Sequence, residues 1–380
     1  MGEIARAWTR IGVTGFGGPP AHIGLLRRLV VERRQWLDAR EFEDANAACG
    51  LLPGPASTEL AIFCAYRVGG AAGAIVGGLG FVVPAVVLIL ALSALFLAHS
   101  PPTWLRGAGA GAGAAVPAVA VQAARALIGP SRERVRAYPT RMARWVVYLL
   151  AGAAGAALFG PYLVLVLLAC GAVEVILQRG GVAALTADSA TLLAFVQRAR
   201  ATGGAAALTW TALKVGALSF GGGFVIVPLM QGDAVHTYHW MTNAQFLNAV
   251  ALGQVTPGPV VATVAAVGYA ARGLPGGLLA AAVAFAPSFA FVLFGGARFT
   301  RLRESAGARA FLDGAGPAAI GAIVGAAISL ARALGEPWQF VVLAAAAALL
   351  LVLGRGVVAT LLLAGAAGTI VALAGAPLAH

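Results

Sequence analysis

Gly12-Val-Thr-Gly-Phe-Gly-Gly-Pro-Pro20 and Leu52-Pro-Gly-Pro-Ala-Ser-Thr58 are two stretches that the chain writes twice. The second writing is Gly216-Ala-Leu-Ser-Phe-Gly-Gly-Gly-Phe224 and Thr256-Pro-Gly-Pro-Val-Val-Ala262. A constant offset of 204 carries one into the other without a gap. Phe16, Gly17 and Gly18 fall on Phe220, Gly221 and Gly222, and Pro53, Gly54 and Pro55 fall on Pro257, Gly258 and Pro259. Trp36 and Phe42 fall on Trp240 and Phe246. Arg10 falls on Lys214, so each Phe-Gly-Gly element has a basic residue six positions upstream.

Around these elements the chain is too apolar to be soluble. Of 380 residues 60% are hydrophobic and 11% charged, with a mean hydropathy of +0.88; a soluble protein carries roughly 25% charged residues. Several apolar runs reach the roughly 20 residues that cross a bilayer as helix, and none shows the short alternating segments of a barrel. The fold class expected is an all-α polytopic membrane protein, multi-pass in the inner (plasma) membrane. The opening MGEIARAWTRIG has no cleavable-signal pattern. The net charge of +12 comes from arginines in short loops between apolar runs. Cytoplasmic loops gather such residues, so the charge does not point to nucleic acid. Cys49, Cys64 and Cys170 stand alone in apolar surroundings, as small core residues do, and no metal or disulfide spacing is present.

Charge also separates the halves. Residues 27–40 hold five arginines, and the matching residues 231–245 hold no Lys or Arg. Arg298, Arg301, Arg303 and Arg309 follow the second copy's third span, where the counterpart 99–106 has one arginine. Matching loops are thus expected on opposite sides, giving two inverted-topology repeats of about five spans each. Helices are expected to be broken or re-entrant at the Phe-Gly-Gly and Pro-Gly-Pro elements. In that count residues 4–30 form one crossing broken at Gly15 to Pro20 and the Pro-Gly-Pro segments are re-entrant; Arg6 and Arg10 fit it poorly. The expected organisation is an N-terminal repeat at 1–178, a linker at 179–204 and a C-terminal repeat at 205–380.

Broken helices in inverted repeats point to a transport site. A helix begun inside the membrane exposes free N–H groups and the positive end of its dipole. Glycine lets a ligand approach the backbone, and such a helix start holds anions. The expected binding set is Arg10, Thr14, Phe16, Gly17, Gly18, Pro53, Gly54, Pro55 and Ser57 in the first half. In the second it is Lys214, Ser219, Phe220, Gly221, Gly222, Thr256, Pro257, Gly258 and Pro259. Lys214 is the only lysine in the chain, and an ionisable group in an apolar segment is functional by default. Glu59, which pairs with Arg10 or Arg67 or carries a proton, and His22 are the proton-coupling candidates. Gln254 and Asn46 are polar groups near the breaks. No nucleophile triad, P-loop or zinc spacing is present, so neither an enzyme nor an ATP-driven pump is expected, and no cofactor or metal.

Phe16-Gly-Gly-Pro19 with Pro53-Gly-Pro55, repeated as Phe220-Gly-Gly-Gly223 with Pro257-Gly-Pro259, resembles the chromate ion transporter family in its long, two-domain form. The resemblance covers nearly the whole chain. It departs from internal symmetry where Gly223 stands for Pro19 and Thr256 for Leu52. It implies chromate efflux and chromate resistance, driven by the membrane potential or a proton gradient. The alternative is a permease or channel for sulfate or another small anion. The partners implied are chromate or sulfate and the lipid bilayer, with a homodimer left open.

Overall fold

The computed structural model describes residues 1–50, 54–98, 101–133, 135–159, 163–179, 204–219, 223–295 and 305–378. All regular structure among them is helical. The first half contains α1 (Gly2–Thr14), α2 (Pro19–Arg27, running into a π turn at Arg28–Arg33), α3 (Ala39–Cys49) and α4 (Ala56–Phe96). It continues with α5 (Thr103–Glu133), α6 (Pro139–Ala154, ending in a π turn at Gly155–Phe159) and α7 (Leu163–Arg179). The second half contains α8 (Gly204–Ala217), α9 (Ile226–Gln231, with a π turn at Gly232–Thr237) and α10 (Asn243–Val255). It continues with α11 (Val264–Gly295, led by a 3₁₀ turn at Val260–Thr263), α12 (Ala306–Arg332), α13 (Pro337–Ala347, with a π turn at Ala348–Val352) and α14 (Val357–Leu373). Among the described residues four helices, α4, α5, α11 with its 3₁₀ lead and α12, are long and apolar enough to cross a membrane. Residues 180–203 of the expected linker and Phe220, Gly221, Gly222 and Pro53 lie outside the described residues.

The repetition read from sequence extends to the backbone. The π turns at Arg28–Arg33 and Gly232–Thr237 are 204 apart. Gln35 and His239, also 204 apart, have φ of 52° and 53°. Asp38 caps α3 by accepting from Glu41 N–H, and Thr242 caps α10 by accepting from Gln245 N–H, which satisfies donors that the first turn leaves open. α4 breaks at Gly69–Gly70 and α11 at Arg272–Gly273 with nearly the same torsions. Here the offset is 203 rather than 204. The 3₁₀ turn accounts for the slip, because it rises about 2.0 Å per residue against 1.5 Å in an α-helix. Both limbs from the Pro-Gly-Pro element to the break therefore span about 21 Å despite the missing residue.

Residues 4–30 do not form the single crossing expected of them. Arg34 Nη1 pairs with Glu3 Oε1 at 2.7 Å, so the end of the π turn returns to the start of α1. α1 and α2 are the two limbs of a hairpin with its tip at Gly15–Gly18. Arg67 Nε pairs with Glu41 Oε1 at 2.6 Å and closes α3 and the first limb of α4 in the same way, with Gly54 at the tip. Hydropathy cannot separate a crossing from a hairpin of this length. Geometry can: the 13 residues of α1 cover about 20 Å, short of the roughly 30 Å of bilayer hydrocarbon. Trp8, fully buried, donates from Nε1 to Ala61 O at 2.8 Å and binds the two hairpins together.

Small residues set the packing distance. A Cβ at Gly12 would lie 2.8 Å from the carbonyl oxygens of both Gly80 and Phe81, so α1 rests on the α4 backbone. Its repeat mate Gly216 meets the Ala284 carbonyl in the same manner. Membrane helices associate through such close approach, and this is why Gly12 and Gly216 belong to the repeated stretch. Gly12→Leu or Gly216→Leu is expected to cost at least 1–3 kcal/mol, the usual range for overpacking. Thermal unfolding in detergent should show a lowered midpoint for both and none for Gly2→Leu, whose Cβ position is open.

Candidate functional site

The tip of the first hairpin meets the Pro-Gly-Pro element of the second half. Gly258 N–H donates to Gly15 O at 3.0 Å, a backbone hydrogen bond between the halves. Gly258 has φ 103°, and a Cβ there would come within 2.7 Å of Ala85 Cβ. Only glycine suits that backbone and that gap. His22, fully buried, places Nε2 2.9 Å from the same Gly15 carbonyl. A carbonyl only accepts, so Nε2 carries the hydrogen, and Nδ1 faces Ser57 Oγ at 3.4 Å. His22 thus fastens the first tip to Ser57, two residues after Pro55.

Beside this junction lies a cavity of about 400 Å³. Its wall joins Gly17, Gly18 and Pro19 of the first half to Gln254, Thr256 and Gly258 of the second, with α5 alongside and Phe224 from the second tip. Gly17 and Gly18 have φ of 101° and 73°, which turns the chain sharply into α2. Prolines at the first two helical positions of α2 remove two of its free N–H donors. The helix end therefore presents its dipole and the glycine backbone rather than a full ring of donors.

Two amides in this wall have unmet hydrogen-bonding atoms: Gln254 Nε2 and Gln122 Oε1 are buried and without partners. Gln122 was not anticipated from sequence, although it is the one amide after a run of Gly, Ala, Val and Pro at 107–121. A polar side chain in such a run marks an interhelical contact or a site.

The remaining expected residues divide. Thr256 lines the cavity and is 5% exposed. Pro257 is buried, and Pro259 precedes the 3₁₀ turn. Gly54 and Pro55 are buried at the other tip, where Gly54 adjoins the Glu59 carboxyl. Ser219 is buried and its Oγ has no partner. Arg10 and Thr14 are exposed on α1, with the Thr14 hydroxyl donating to Arg10 O at 2.8 Å, and Phe16 is 47% exposed. Asn46 is half-buried on α3.

Neither cationic residue of the expected set lines the cavity. Lys214 is buried and paired with Asp233, a partner missed in the sequence although Asp233 is the only carboxylate between 204 and 270. The pairing expected for Glu59 is corrected. Arg67 is taken by Glu41, and both oxygens of the fully buried Glu59 carboxyl lack a hydrogen-bond partner.

The family model described as Chromate transporter matches the chain twice, over residues 2–175 and 206–369. The chromate transport protein of Cupriavidus metallidurans is 33% identical over 338 residues, covering 87% of this chain and 82% of the relative. That of Pseudomonas aeruginosa is 32% identical over 350 residues, 88% and 82% of the two. A probable chromate transport protein of Synechococcus elongatus is 29% identical over 344 residues, 87% and 84%. No solved structure matches the chain.

The junction itself is open to test. Gly258→Ala combines a left-handed backbone with a closed gap and is expected to cost about 2–4 kcal/mol, from strain of 1–3 kcal/mol plus overpacking. Gly18→Ala has the strain but open space at its Cβ position and should cost less. Midpoints of thermal unfolding should fall in that order.

Proposed function

The chain belongs to the chromate transporter family, and we propose that it is a secondary transporter that carries chromate out of the cytoplasm through the cavity at the Gly15–Gly258 junction. It is a multi-pass membrane protein, and on this reading it works in the inner membrane. The observation that carries the proposal is the joining of a helix start from one half to a Pro-Gly-Pro turn from the other around one cavity, whose largely apolar wall holds the Gln122 and Gln254 amides and Thr256. A helix N-terminus, glycine N–H groups and the Gln254 amide are chemistry suited to an oxyanion.

The two halves are proposed to be inverted repeats, 1–178 and 205–380 about a linker at 179–204, with re-entrant hairpins at the Phe-Gly-Gly and Pro-Gly-Pro elements. Antiparallel packing of equivalent helices supports the inversion. Gly78, early in the long limb of α4, abuts Phe289 late in α11, while Leu90 abuts Gly277. Late α5 (Pro130, Ser131) and early α12 (Leu312, Asp313) share one hollow, which sets these two equivalents head to tail. The hairpin form of α1–α2 also relieves the misfit of Arg6, because the Glu3–Arg34 pair brings the start of α1 to the basic loop at 27–40.

The membrane potential suffices as a driving force. Moving one charge across 100 mV is worth about 2.3 kcal/mol, so a dianion leaving a negative interior gains roughly 4.6 kcal/mol. At about 1.4 kcal/mol per tenfold this supports a gradient above a thousandfold. Glu59 and His22 are the proposed sites for any coupled proton, Glu59 because it is buried without a partner and His22 because it holds the junction.

Reconstitution into liposomes tests this directly. With a potential imposed, chromate flux should follow its sign, and Gln254→Ala should raise the KM for chromate about tenfold, the loss of one hydrogen bond to a charged ligand. Flux independent of potential would remove the export reading. Equal inhibition by sulfate would widen the substrate class to small dianions.

A further inference from the structure

Charge joins the two limbs of the second Phe-Gly-Gly hairpin. Lys214 lies one turn from the end of α8 and is 6% exposed; Asp233 lies in the returning π turn and is 1% exposed. Lys214 Nζ donates to Asp233 Oδ2, which also accepts from Thr211 Oγ1 at 2.7 Å. Asp233 Oδ1 is buried and has no hydrogen-bond partner. The Trp210 ring stands 5.7 Å from Nζ. The same two positions in the first half are Arg10 and Leu29, so the exposed cation there has no carboxylate facing it at the matching place.

We propose that Asp233 is a built-in anion that competes with the transported oxyanion for Lys214, and so sets the affinity of the transporter and its preference for dianions. The inference rests on the anion reading of the central cavity. A purely stabilising role explains the pair poorly. Burying two charges costs nearly as much as their attraction returns, and the first hairpin closes with an exposed pair, Glu3–Arg34, instead. The geometry suits exchange instead. One carboxylate oxygen takes both donors and the other takes none, so the carboxylate lacks the two-point grip that makes a charged pair strong. The π turn that carries Asp233 is a backbone form often found at functional sites. The tip of this hairpin reaches the central cavity at Phe224. The C-terminal end of α8, with its negative dipole, keeps the ammonium in place when the carboxylate leaves.

Selectivity follows from the same competition. A monoanion brings no more charge to Lys214 than the carboxylate it must displace, whereas a dianion brings twice as much. An unpaired charge built against the wrong ligand is a common source of discrimination.

The test measures chromate binding to the purified full-length protein by equilibrium dialysis, for wild type, Asp233→Asn, Lys214→Ala and the double variant, with thermal unfolding in parallel. Asp233→Asn should bind chromate about tenfold more tightly and become sensitive to chloride competition, and both effects should vanish in the double variant. If both single variants melt lower, the double variant recovers, and chromate affinity is the same in all four, the pair is a structural clasp and the inference is overturned. Should Asp233→Asn fail to fold, Asp233→Glu moves the carboxylate without removing it. A changed chromate affinity there supports the exchange, and an unchanged one overturns it. Wild-type protein that binds neither chromate nor sulfate removes the transport reading itself. Wild-type binding that no Asp233 variant alters removes only this inference.

Discussion

One backbone hydrogen bond, from Gly258 N–H to the Gly15 carbonyl, joins the two halves at the cavity. It needs both partners to reach the centre as bare backbone. Each therefore sits at the tip of a hairpin, and each tip is rich in glycine and proline, with Phe16 of the first tip half-exposed. Buried backbone groups must be paired or face something polar. The Gly15 carbonyl is paired twice, by Gly258 and by His22. What the tips do not spend on each other faces the cavity beside them. Irregular backbone at membrane depth survives only where it lines such a space or is packed in protein, so cavity and junction are two consequences of one constraint.

The repeat gives the halves one backbone and different chemistry. The π turns, the left-handed residues at Gln35 and His239 and the helix breaks recur. Where the first half has Glu59 the second has Thr263, whose hydroxyl donates back to Val260 O at 2.7 Å and needs no outside partner. Where the first half has His22 the second has Ile226, and where the first has Leu29 the second has Asp233. Ionisable groups within a membrane fold are costly and kept for function. Their placement on one copy or the other assigns the junction to the first tip and the buried ion pair to the second hairpin.

Much of this was legible in the chain. The 204 offset located both tips and the turns between them, because glycine and proline mark backbone needs that survive any change of neighbours. The hairpin path of residues 4–30 was not legible. A 27-residue apolar run satisfies the length rule for a crossing whether it runs straight or doubles back, and the Glu3–Arg34 pair that decides the matter joins residues 31 apart. Asp233 was visible as the sole carboxylate of its region, yet it lies 19 residues from Lys214, a distance that only a folded-back chain makes close. Gln122 was passed over because small residues around it read as helix packing, which they also are: Gly107 and Gly111 lie against Gly368 of α14.

The prolines at the start of α2 bear on how tightly such a site holds its ligand. A helix start with all its donors free grips an anion through several N–H groups at once. Pro19 and Pro20 remove two of them while leaving the dipole intact. On the proposed reading the cavity would hold an anion by field and by a few amides rather than by a closed cage. A transporter has to release what it binds, and a site that conducts must be favourable to enter yet weak enough to leave. The second tip carries Gly223 in place of Pro19, and its helix α9 starts three residues later, at Ile226, so the two tips enter their helices differently. A repeated scaffold thus holds two unequal tips.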